Sequence, residues 1–443
     1  MIRWRVCRDK GRAAAAALLL CSGLLAAQPA AAGGLIFYEV GTADVGLASA
    51  GFGARAQDAS TVFTNPAGMT RLAGTQFLAS GQLLWDNAEF SIGSGTSAAL
   101  GSNDGGYAVG ANGWVPGAGA FVSHSFSPDL KAGFALAANF GAPVSYDSNW
   151  VGRYYVQEAT LLGVSMLPSI AYKATDKLSV GANLNIMYAK YYNQVAINNA
   201  NPAFGDGQLK LDDNTWGWGV NLGLLYELDT GTRLGLTWNS QVDLDFEAPA
   251  QFSNLAPGLS ALLGSRGLLG ANVDVGIKVP QQVMGSIFAQ VSDDWALLGS
   301  VGWQQWSKFG QVVIGISNSA NPTSLTTDFN YDDTWHAALG AQYRLSKPWR
   351  LNFGVAYDSG FQDGSNVSPV LPLNSAWRFG AGAEHHPDKD FTWGFAAEYI
   401  YGGTLDTNQQ NAIPVALGGR GNVVGSYENA AVYVLSIYGN WTF

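Results

Sequence analysis

The carboxy-terminal segment is the feature that most constrains the fold of this chain. Residues 432–443 alternate between large and small side chains, and one face carries Tyr433, Leu435, Ile437, Trp441 and Phe443. Because successive side chains of a β-strand point to opposite faces, the segment predicts a long strand with one large apolar face. The chain ends on that face with an aromatic residue.

The composition indicates where such a strand would lie. Hydrophobic residues make up 47% of the chain and charged residues only 13%, against about 25% charged residues in soluble domains. Beyond the amino terminus, no stretch reaches the roughly 18 consecutive apolar residues of a transmembrane helix. A sheet closed into a barrel satisfies all its backbone groups inside a membrane. We therefore predict an all-β transmembrane barrel, for which Phe443 is a typical last residue in the bacterial outer membrane.

The amino terminus predicts export. A basic stretch at residues 3–12 precedes an Ala/Leu-rich run at 13–27, and Ala30 to Ala32 supply a small-residue cleavage site. We assign residues 1–32 to a signal peptide. Both cysteines, Cys7 and Cys21, lie within it, so the exported chain is expected to have no disulfide.

The charge of the exported part argues against a nucleic-acid partner. Five of the 23 basic residues and one of the 33 acidic residues lie in the signal, which leaves 18 and 32 and a net charge of −14. Binding to a phosphate backbone requires a basic face. We expect no nucleic acid among the partners.

Turn signals predict the number of strands. Short ones occur at residues 127–129, 174–177, 229–231, 292–294, 346–348 and 386–389. Longer connections lie near residues 86–115, 141–157, 193–213, 247–273, 307–333, 359–375 and 402–429. The alternating segments between them run about 9–12 residues, the length of a tilted spanning strand. Six short turns and seven long loops predict fourteen antiparallel strands over residues 74–443, with both termini on the short-turn, periplasmic side. Residues 33–73 precede the first strand and are free to fold into the lumen as a plug.

A motif before the first strand resembles a known family. Residues 46–69 run from Gly46-Leu-Ala-Ser-Ala-Gly51 to Asn65-Pro66-Ala67-Gly68-Met69 and resemble the N-terminal hatch of long-chain fatty acid outer-membrane transporters of the FadL/TodX type. The Asn-Pro-Ala signature of that family lies just before its first strand. Weaker similarities follow in order at residues 139–143, 226–229, 278–280, 303–307 and 354–358 and at Phe443. The resemblance covers essentially the whole exported chain.

The resemblance implies a passive transporter in the outer membrane of a Gram-negative bacterium. The expected molecule is a monomeric fourteen-stranded antiparallel barrel whose N-terminal hatch plugs the lumen. A hydrophobic small molecule would be captured between outer loops, bind in an inner apolar pocket and leave sideways where the third strand kinks. Long-chain fatty acids are the first expected cargo and monoaromatic hydrocarbons the alternative; a general porin for small polar solutes is a further alternative. Outer-membrane lipids would surround the barrel, and the barrel-assembly machinery would recognise Phe443.

Two short segments are candidates for moving parts. Asn65, Pro66 and Ala67 would form the hatch element whose rearrangement opens the path, or simply an Asx-Pro turn that orders the start of the first strand. Gly141 and Pro143 would mark the kink and lateral exit, or the end of the third strand, because proline cannot donate to a β-ladder. The resemblance favours the kink.

Basic residues on the inner face are candidates for a headgroup site. A carboxylate in a lumen of low dielectric constant requires a cation or hydrogen-bond donors. By alternation, Lys278, His336 and Arg378 point inward in the outer half of the barrel, and Arg153 lies just before the fourth strand. Structural ion pairs with Glu384, Glu398 or Asp274 are the alternative for each of them.

Two apolar groups are candidates for cargo contacts. Val432 and Val434 face inward near the outer end, where they would line a pocket or pack against the plug. Leu259, Leu262 and Leu263 lie in an unusually apolar loop and are expected on a short helix that forms a capture groove. Insertion into the outer leaflet or packing on a neighbouring loop would explain the same leucines.

The sequence does not predict catalysis, a cofactor or a metal site. His385 and His386 occupy a predicted turn without further ligands. A lipase would need a serine–histidine pair, and only His336 lies in a suitable part of the barrel, without a serine at an identifiable spacing. We expect a protein that is not an enzyme.

Overall fold

The computed structural model describes residues 35–106, 114–317 and 323–443, and the predicted signal peptide lies outside them. In this part of the chain, the first ten strands are β1 (Thr75–Asn87), β2 (Phe90–Ile92), β3 (Trp114–Ser125), β4 (Leu130–Ser145), β5 (Glu158–Lys173), β6 (Leu178–Ile197), β7 (Gly207–Glu227), β8 (Thr232–Asn239), β9 (Val242–Pro249) and β10 (Gln251–Ser253). The remaining strands are β11 (Asn272–Val279), β12 (Gln282–Gln290), β13 (Trp295–Gln304), β14 (Gln311–Ser317), β15 (Thr323–Asp328), β16 (Thr334–Arg344), β17 (Trp349–Asp358), β18 (Ala376–His385), β19 (Phe391–Gln409) and β20 (Val423–Thr442).

Fourteen of these strands form a closed antiparallel wall in the described ranges. The hydrogen-bonded order is β1, β3 to β8, β12, β13 and β16 to β20, and β20 pairs with β1 to close the barrel. Phe443 completes the seam, because its backbone N–H donates to Thr75 O at 2.8 Å and its carbonyl accepts from Thr75 N at 3.1 Å. The prediction of a fourteen-stranded antiparallel barrel is confirmed, and β1 begins on the short-turn side where β20 ends, with Gln76 opposite Thr442.

Two aromatic belts define the membrane band. On β20, Tyr433 and Trp441 lie eight residues apart and both are exposed, with Leu435 and Ile437 exposed between them. At about 3.3 Å per residue the interval is about 26 Å along the strand, or about 20 Å along the membrane normal for a strand tilted by about 40°, somewhat less than an apolar band of about 25 Å. The upper belt continues with Trp114, Trp216, Trp335 and Trp377, and the lower belt with Phe77, Tyr226 and Trp295.

Several strands extend well beyond this band. β6, β7, β19 and β20 have 20, 21, 19 and 20 residues, so the expected length of 9–12 residues is wrong for them. Their pairing continues into the outer loops, up to Ile197 opposite Gly207 and Gln409 opposite Val423. A separate four-stranded sheet with the order β15-β14-β11-β9 stands above β8 and β12.

The helices of the described segments are short. They are α1 (Ala43–Gly46), α2 (Thr61–Thr64), α3 (Pro257–Ser265) and α4 (Trp306–Phe309), with 3-10 turns at Pro66–Arg71, Ala98–Leu100, Pro202–Phe204 and Val415–Leu417. None of them has the length and hydropathy needed to cross a bilayer.

The segment before β1 lies inside the barrel. Nearly all of residues 35–70 are buried, and they press against glycines of the wall. A Cβ atom at Gly223 would lie 2.0 Å from Asn65 Oδ1, and one at Gly354 would lie 2.0 Å from the Leu47 carbonyl. Glycine at these positions lets the lumen segment approach the wall backbone directly.

Candidate functional site

The barrel wall has a break between its second and third strands. β3 and β4 pair from Ser125 opposite Lys131 up to Gly119 opposite Ala137, where the pairing ends. Beyond that point β4 pairs with β5 alone, after a register shift between Ala138 and Phe140. Residues 114–118 of β3 therefore keep their neighbour β1 but have no partner strand on the β4 side among the described residues. The break lies just below Trp114 of the upper aromatic belt, within the membrane band.

Gly141 produces the bend at this break. Its φ is +102°, and a Cβ atom there would lie 1.7 Å from Leu161 O, so only glycine fits both the conformation and the space. Pro143 follows two residues later opposite Thr160. The structure thus places both residues of the predicted kink at the wall break.

A short strand from the lumen covers the inner side of the bend. Phe37 N donates to Asn139 O at 2.9 Å, Gly141 N donates to Leu35 O at 2.7 Å, and Ile36 lies opposite Phe140. We call residues 35–37 the inner strand. The inner strand therefore supplies hydrogen-bond partners for backbone groups of β4 that no longer pair with β3.

An apolar cavity adjoins both the break and the inner strand. About 100 Å³ of it is open to a molecule the size of water. Its walls include Leu35, Phe37, Leu84, Val115, Gly141, Ala142, Pro143, Ile400 and Val432, and residues 372–376 lie across it. Asp86 and Arg378 are the charged residues among its described lining. Val434, two residues from Val432, packs instead on Val45 and Leu84.

Arg378 is already balanced by acidic groups. Its Nη1 lies 3.1 Å from Glu39 Oε2 in the lumen segment and 3.7 Å from Glu398 Oε1, and its Nε donates to Asp358. All four side chains are buried. His336 Nδ1 lies 2.7 Å from Asp358 Oδ1 in the same cluster. Three carboxylates surround one guanidinium, so Arg378 contributes no uncompensated positive charge to the cavity.

The inward orientation predicted for Lys278 is wrong. Val275, Ile277 and Val279 are the buried side chains of β11, which places Lys278 on the opposite face. In β12 the buried positions become even-numbered, at Met284. The change of phase occurs at residues 280 and 281, which belong to neither strand, so simple alternation fails across them.

The structure places Arg153 outside the cavity. Arg153 Nε contacts Asp206 Oδ2 at 2.7 Å, and Nη1 donates to Leu100 O at 3.0 Å. These are contacts between outer loops, and Arg153 is not among the residues of the cavity wall. Of the four predicted headgroup residues, only Arg378 lies at the cavity, with His336 behind it.

Asn65 anchors the lumen segment. Its Oδ1 accepts from Ala67 N at 3.1 Å and so caps the 3-10 turn that begins at Pro66, while its Nδ2 donates to Gly53 O at 2.6 Å and to Leu224 O at 3.0 Å. The Asn65-Pro66-Ala67 turn therefore joins two parts of the lumen segment to the wall. Its predicted role in gating stays a prediction.

A buried ionic cluster stiffens the same segment. Arg55 contacts Asp44 at 3.1 Å and also Asp58. Burial raises the pKa of Asp44 by more than Arg55 lowers it. Asp58 is equally buried, but Arg55 and Ser60 together hold its pKa below the usual range. These contacts and those of Asn65 hold residues 44–65 in the lumen.

The apolar loop forms the predicted helix, without a groove at the cavity. α3 carries Leu259, Leu262 and Leu263, and Leu262 is 51% exposed. None of the three lines the apolar cavity. The described residues also hold no group of three or more His, Cys, Asp or Glu side chains arranged for a metal ion.

Sequence reasoning missed three parts of the site. Glu39 lies in a Gly/Ala-rich segment without periodicity, Asp86 begins the long connection predicted near residues 86–115, and residues 372–375 lie in the one predicted near 359–375. An inward-facing Arg378 needs an acidic partner, and this need was the one signal that could have pointed to Glu39. The alternation of side chains along a strand does not show which residue lies across the lumen.

The whole chain is similar to outer-membrane transport proteins. Residues 23–443 match the family described as "Outer membrane protein transport protein (OMPP1/FadL/TodX)". A long-chain fatty acid transport protein of Escherichia coli O6:H1 (strain CFT073) is 26% identical over 395 residues, covering 83% of this chain and 87% of the relative. Outer membrane protein P1 of Haemophilus influenzae (strain Rd) is 28% identical over 413 residues, with coverage of 84% and 87%.

Solved structures show the same fold. A Pseudomonas aeruginosa FadL homologue superposes with a TM-score of 0.78 at 20% identity, covering 93% of this chain and 100% of that one. The Pseudomonas putida toluene transporter TodX superposes with a TM-score of 0.67 at 16% identity, covering 93% and 99%.

Proposed function

Because this chain belongs to the OMPP1/FadL/TodX family of outer-membrane transport proteins, we propose that it carries hydrophobic compounds passively through the apolar cavity and out at the bend of β4. Burial of apolar surface draws such a compound from water into the cavity. The break between β3 and β4 adjoins the cavity within the membrane band, which supports a lateral exit into the lipid. No chemical step is required.

We propose that the cargo binds as a neutral molecule. The observation that carries this proposal is the balance of charge around Arg378, which already faces Glu39, Asp358 and Glu398. Asp86 adds a further carboxylate at the cavity. An anionic headgroup would find Arg378 already paired with Glu39 and Asp358, and an uncompensated anion is costly where the dielectric constant is low. Neutral hydrocarbons, including monoaromatic ones, meet no such cost.

Long-chain fatty acids are the second candidate cargo. The relatives named above include a long-chain fatty acid transport protein, and Arg378 does reach the cavity. A fatty acid carboxylate would have to replace Glu39 on Arg378, an exchange that leaves the local charge unchanged. Such an exchange would release the lumen segment near Glu39 and shift the hatch towards an open state.

Direct binding to the purified, detergent-solubilised protein tests the two candidates. We expect saturable toluene binding to the wild type and weak oleate binding. Glu39→Gln removes one carboxylate from Arg378 at constant shape, so oleate affinity should rise about tenfold, in line with a charged hydrogen bond of about 1.5–3 kcal/mol. Lys278→Ala is the control and should match the wild type for both ligands, because Lys278 faces away from the interior.

Each other result has a defined meaning. Oleate binding tighter than toluene binding in the wild type would establish the fatty-acid candidate instead. A wild type that binds neither compound would refute the proposed transporter mechanism.

A further inference from the structure

Asp86 is a carboxylate without a counter-ion in the wall of the apolar cavity. It lies on the inward face of β1, two residues after Leu84 and opposite Val432 of β20, and all three residues line the cavity. Within the described ranges, its carboxylate forms no hydrogen bond and no ion pair. Residues 107–113, which fall between those ranges, contain no basic side chain either. A carboxylate left unpaired in apolar surroundings is costly.

Arg378 is the other charged residue of the described cavity wall, but it does not pair with Asp86. Its guanidinium contacts Glu39, Asp358 and Glu398 instead. These carboxylates come from the lumen segment, from β17 and from β19, so they surround Arg378 from several sides. The described wall of the cavity therefore has no cation left to neutralise Asp86.

Two tyrosines close to Asp86 do not supply a donor. Burial raises the pKa of Tyr146, and Tyr427 and the charge of Asp86 raise it further, so Asp86 lies near this pair. Tyr146 OH donates to Pro369 O at 2.8 Å, and the hydroxyls of Tyr427 and Tyr146 lie 2.5 Å apart. Because Tyr146 uses its proton on Pro369, Tyr427 donates to Tyr146. Neither hydroxyl has a proton left for the carboxylate.

The cavity has room for a short amphiphile next to Asp86. About 100 Å³ of it is open to a molecule the size of water, and one water needs about 10–15 Å³ of such space. A chain of about seven non-hydrogen atoms therefore fits. The wall beside that chain is apolar and extends from Leu84 and Val432 to Val115 and Pro143 at the wall break. Asp86 is half-buried, so a ligand can reach its carboxylate.

We propose that Asp86 makes the apolar cavity a binding site for primary aliphatic amines, whose ammonium group pairs with the carboxylate while the alkyl chain lies along the apolar wall. An ammonium group has three N–H donors and a carboxylate only accepts, and such charge-assisted hydrogen bonds are about twice as strong as neutral ones. Each charge then compensates the other in a region of low dielectric constant.

This inference rests on the proposed use of the cavity for cargo, and it adds a second class of compound to the neutral ones. Asp86 is the residue that determines this second specificity. A ligand with a carboxylate in place of the ammonium group would meet a like charge at the same position, which disfavours its binding.

Three compounds with the same pentyl chain separate the effect of charge from that of size: n-pentylamine, 1-pentanol and hexanoate. Binding of each to the full purified protein is measured by equilibrium dialysis, and competition with toluene identifies the apolar cavity. We expect the wild type to bind n-pentylamine at least about tenfold more tightly than hexanoate. Toluene should displace the amine.

Asp86→Asn keeps the shape of the side chain and removes its charge. Its affinity for n-pentylamine should be about ten- to hundredfold lower than that of the wild type, whereas its affinity for 1-pentanol should stay within about twofold. Glu89→Gln is the matched control, because it makes the same change in net charge at an exposed position outside the cavity wall. It should bind all three compounds like the wild type.

Several results would overturn the proposal. They are equal affinity of the wild type and Asp86→Asn for n-pentylamine, an equal loss in Glu89→Gln, and binding of hexanoate by the wild type as tight as that of the amine. If Asp86→Asn does not fold, as shown by lost heat-modifiable mobility on gels, wild-type crystals soaked in n-pentylamine decide the matter. The amine nitrogen should then lie within hydrogen-bond distance of the Asp86 carboxylate, and an amine bound only elsewhere would refute the assignment.

The failure of this proposal differs from the failure of the transport proposal. Toluene binding without amine binding in the wild type removes the role of Asp86 and leaves the transporter intact. A wild type that binds n-pentylamine through Asp86 but does not bind toluene would refute the transport of neutral hydrocarbons and keep the amine site.

Discussion

At the scale of single residues, Gly141 fixes the bend of β4 at the wall break. We predict that Gly141→Ala destabilises the protein by about 1–3 kcal/mol, since alanine is strained at a φ of +102° and its Cβ would lie 1.7 Å from Leu161 O. Toluene uptake into proteoliposomes should fall as β4 loses its bend. Gly81→Ala is the matched control, because a Cβ there meets no atom within 4 Å. Equal effects of the two substitutions would contradict the assignment.

Asn65 gives a second prediction at this scale. Asn65→Ala removes the cap of the 3-10 turn and the donor to Gly53 O and Leu224 O, which should destabilise the hatch by about 1–2 kcal/mol. Limited proteolysis of the folded barrel should then cleave the lumen segment faster. Asn65→Asp keeps the capping oxygen and loses the donor, so its cleavage rate should lie between those of Asn65→Ala and the wild type. Unchanged cleavage in both variants would show that the turn does not anchor the hatch.

Residue-scale patterns also show what the sequence could predict of the site. Proline chemistry and the resemblance predict a kink at Gly141 and Pro143, and alternation predicts that Val432 faces inward; all three line the apolar cavity. Lys278 was misplaced because the register changes at residues 280–281. The partners of Arg378 were missed since Glu39 comes from a segment without periodicity. Local patterns report which face a side chain occupies, but they do not report what it meets across a lumen.

At the scale of elements, the inner strand lies between the apolar cavity and the bend of β4, and we infer that cargo leaving at the bend displaces it. Ile36 and Phe140 are directly opposite each other, in the pairing geometry where Cα atoms of antiparallel strands lie about 4.5 Å apart, within reach of a disulfide. We predict that the oxidised Ile36→Cys/Phe140→Cys double variant loses most of its toluene uptake. The exported chain has no other cysteine if the signal is cleaved as expected.

The reduced form of the same protein is the control for that experiment. A reductant should restore uptake, because it frees the inner strand without changing any other contact. Equal uptake before and after reduction would show that cargo passes with the inner strand in place.

The elements themselves were only partly predictable. The six tight turns lie at the positions that polar and proline-containing segments predict. Such segments are reliable signals because few residue types suit the backbone of a tight turn. The outer strands β11, β14 and β15 fall wholly or partly in segments that were expected to be loops. They pair with one another above the wall, where neither lipid nor a uniform lumen imposes a regular alternation on the sequence.

At the scale of the whole molecule, Phe443 at the seam between β1 and β20 allows the stability of the folded barrel to be distinguished from its assembly into the membrane. The side chain of Phe443 is 77% exposed, and its backbone makes two hydrogen bonds with Thr75. Deletion of Phe443 should therefore cost the folded barrel only about 1–3 kcal/mol. If the assembly machinery recognises this residue, its deletion should strongly reduce the amount of protein in the outer membrane. The thermal stability of the refolded barrel should change only slightly. Proportional losses would assign Phe443 a purely structural role.

The inner strand lines the apolar cavity and pairs with β4 at the wall break, so occupancy of the cavity and pairing of the strand are thermodynamically linked. A ligand that displaces residues 35–37 weakens this pairing, and reciprocity requires the pairing to weaken the binding of that ligand by the same factor. Substitutions that loosen a strand of three residues would then tighten the binding of a compound that they never touch.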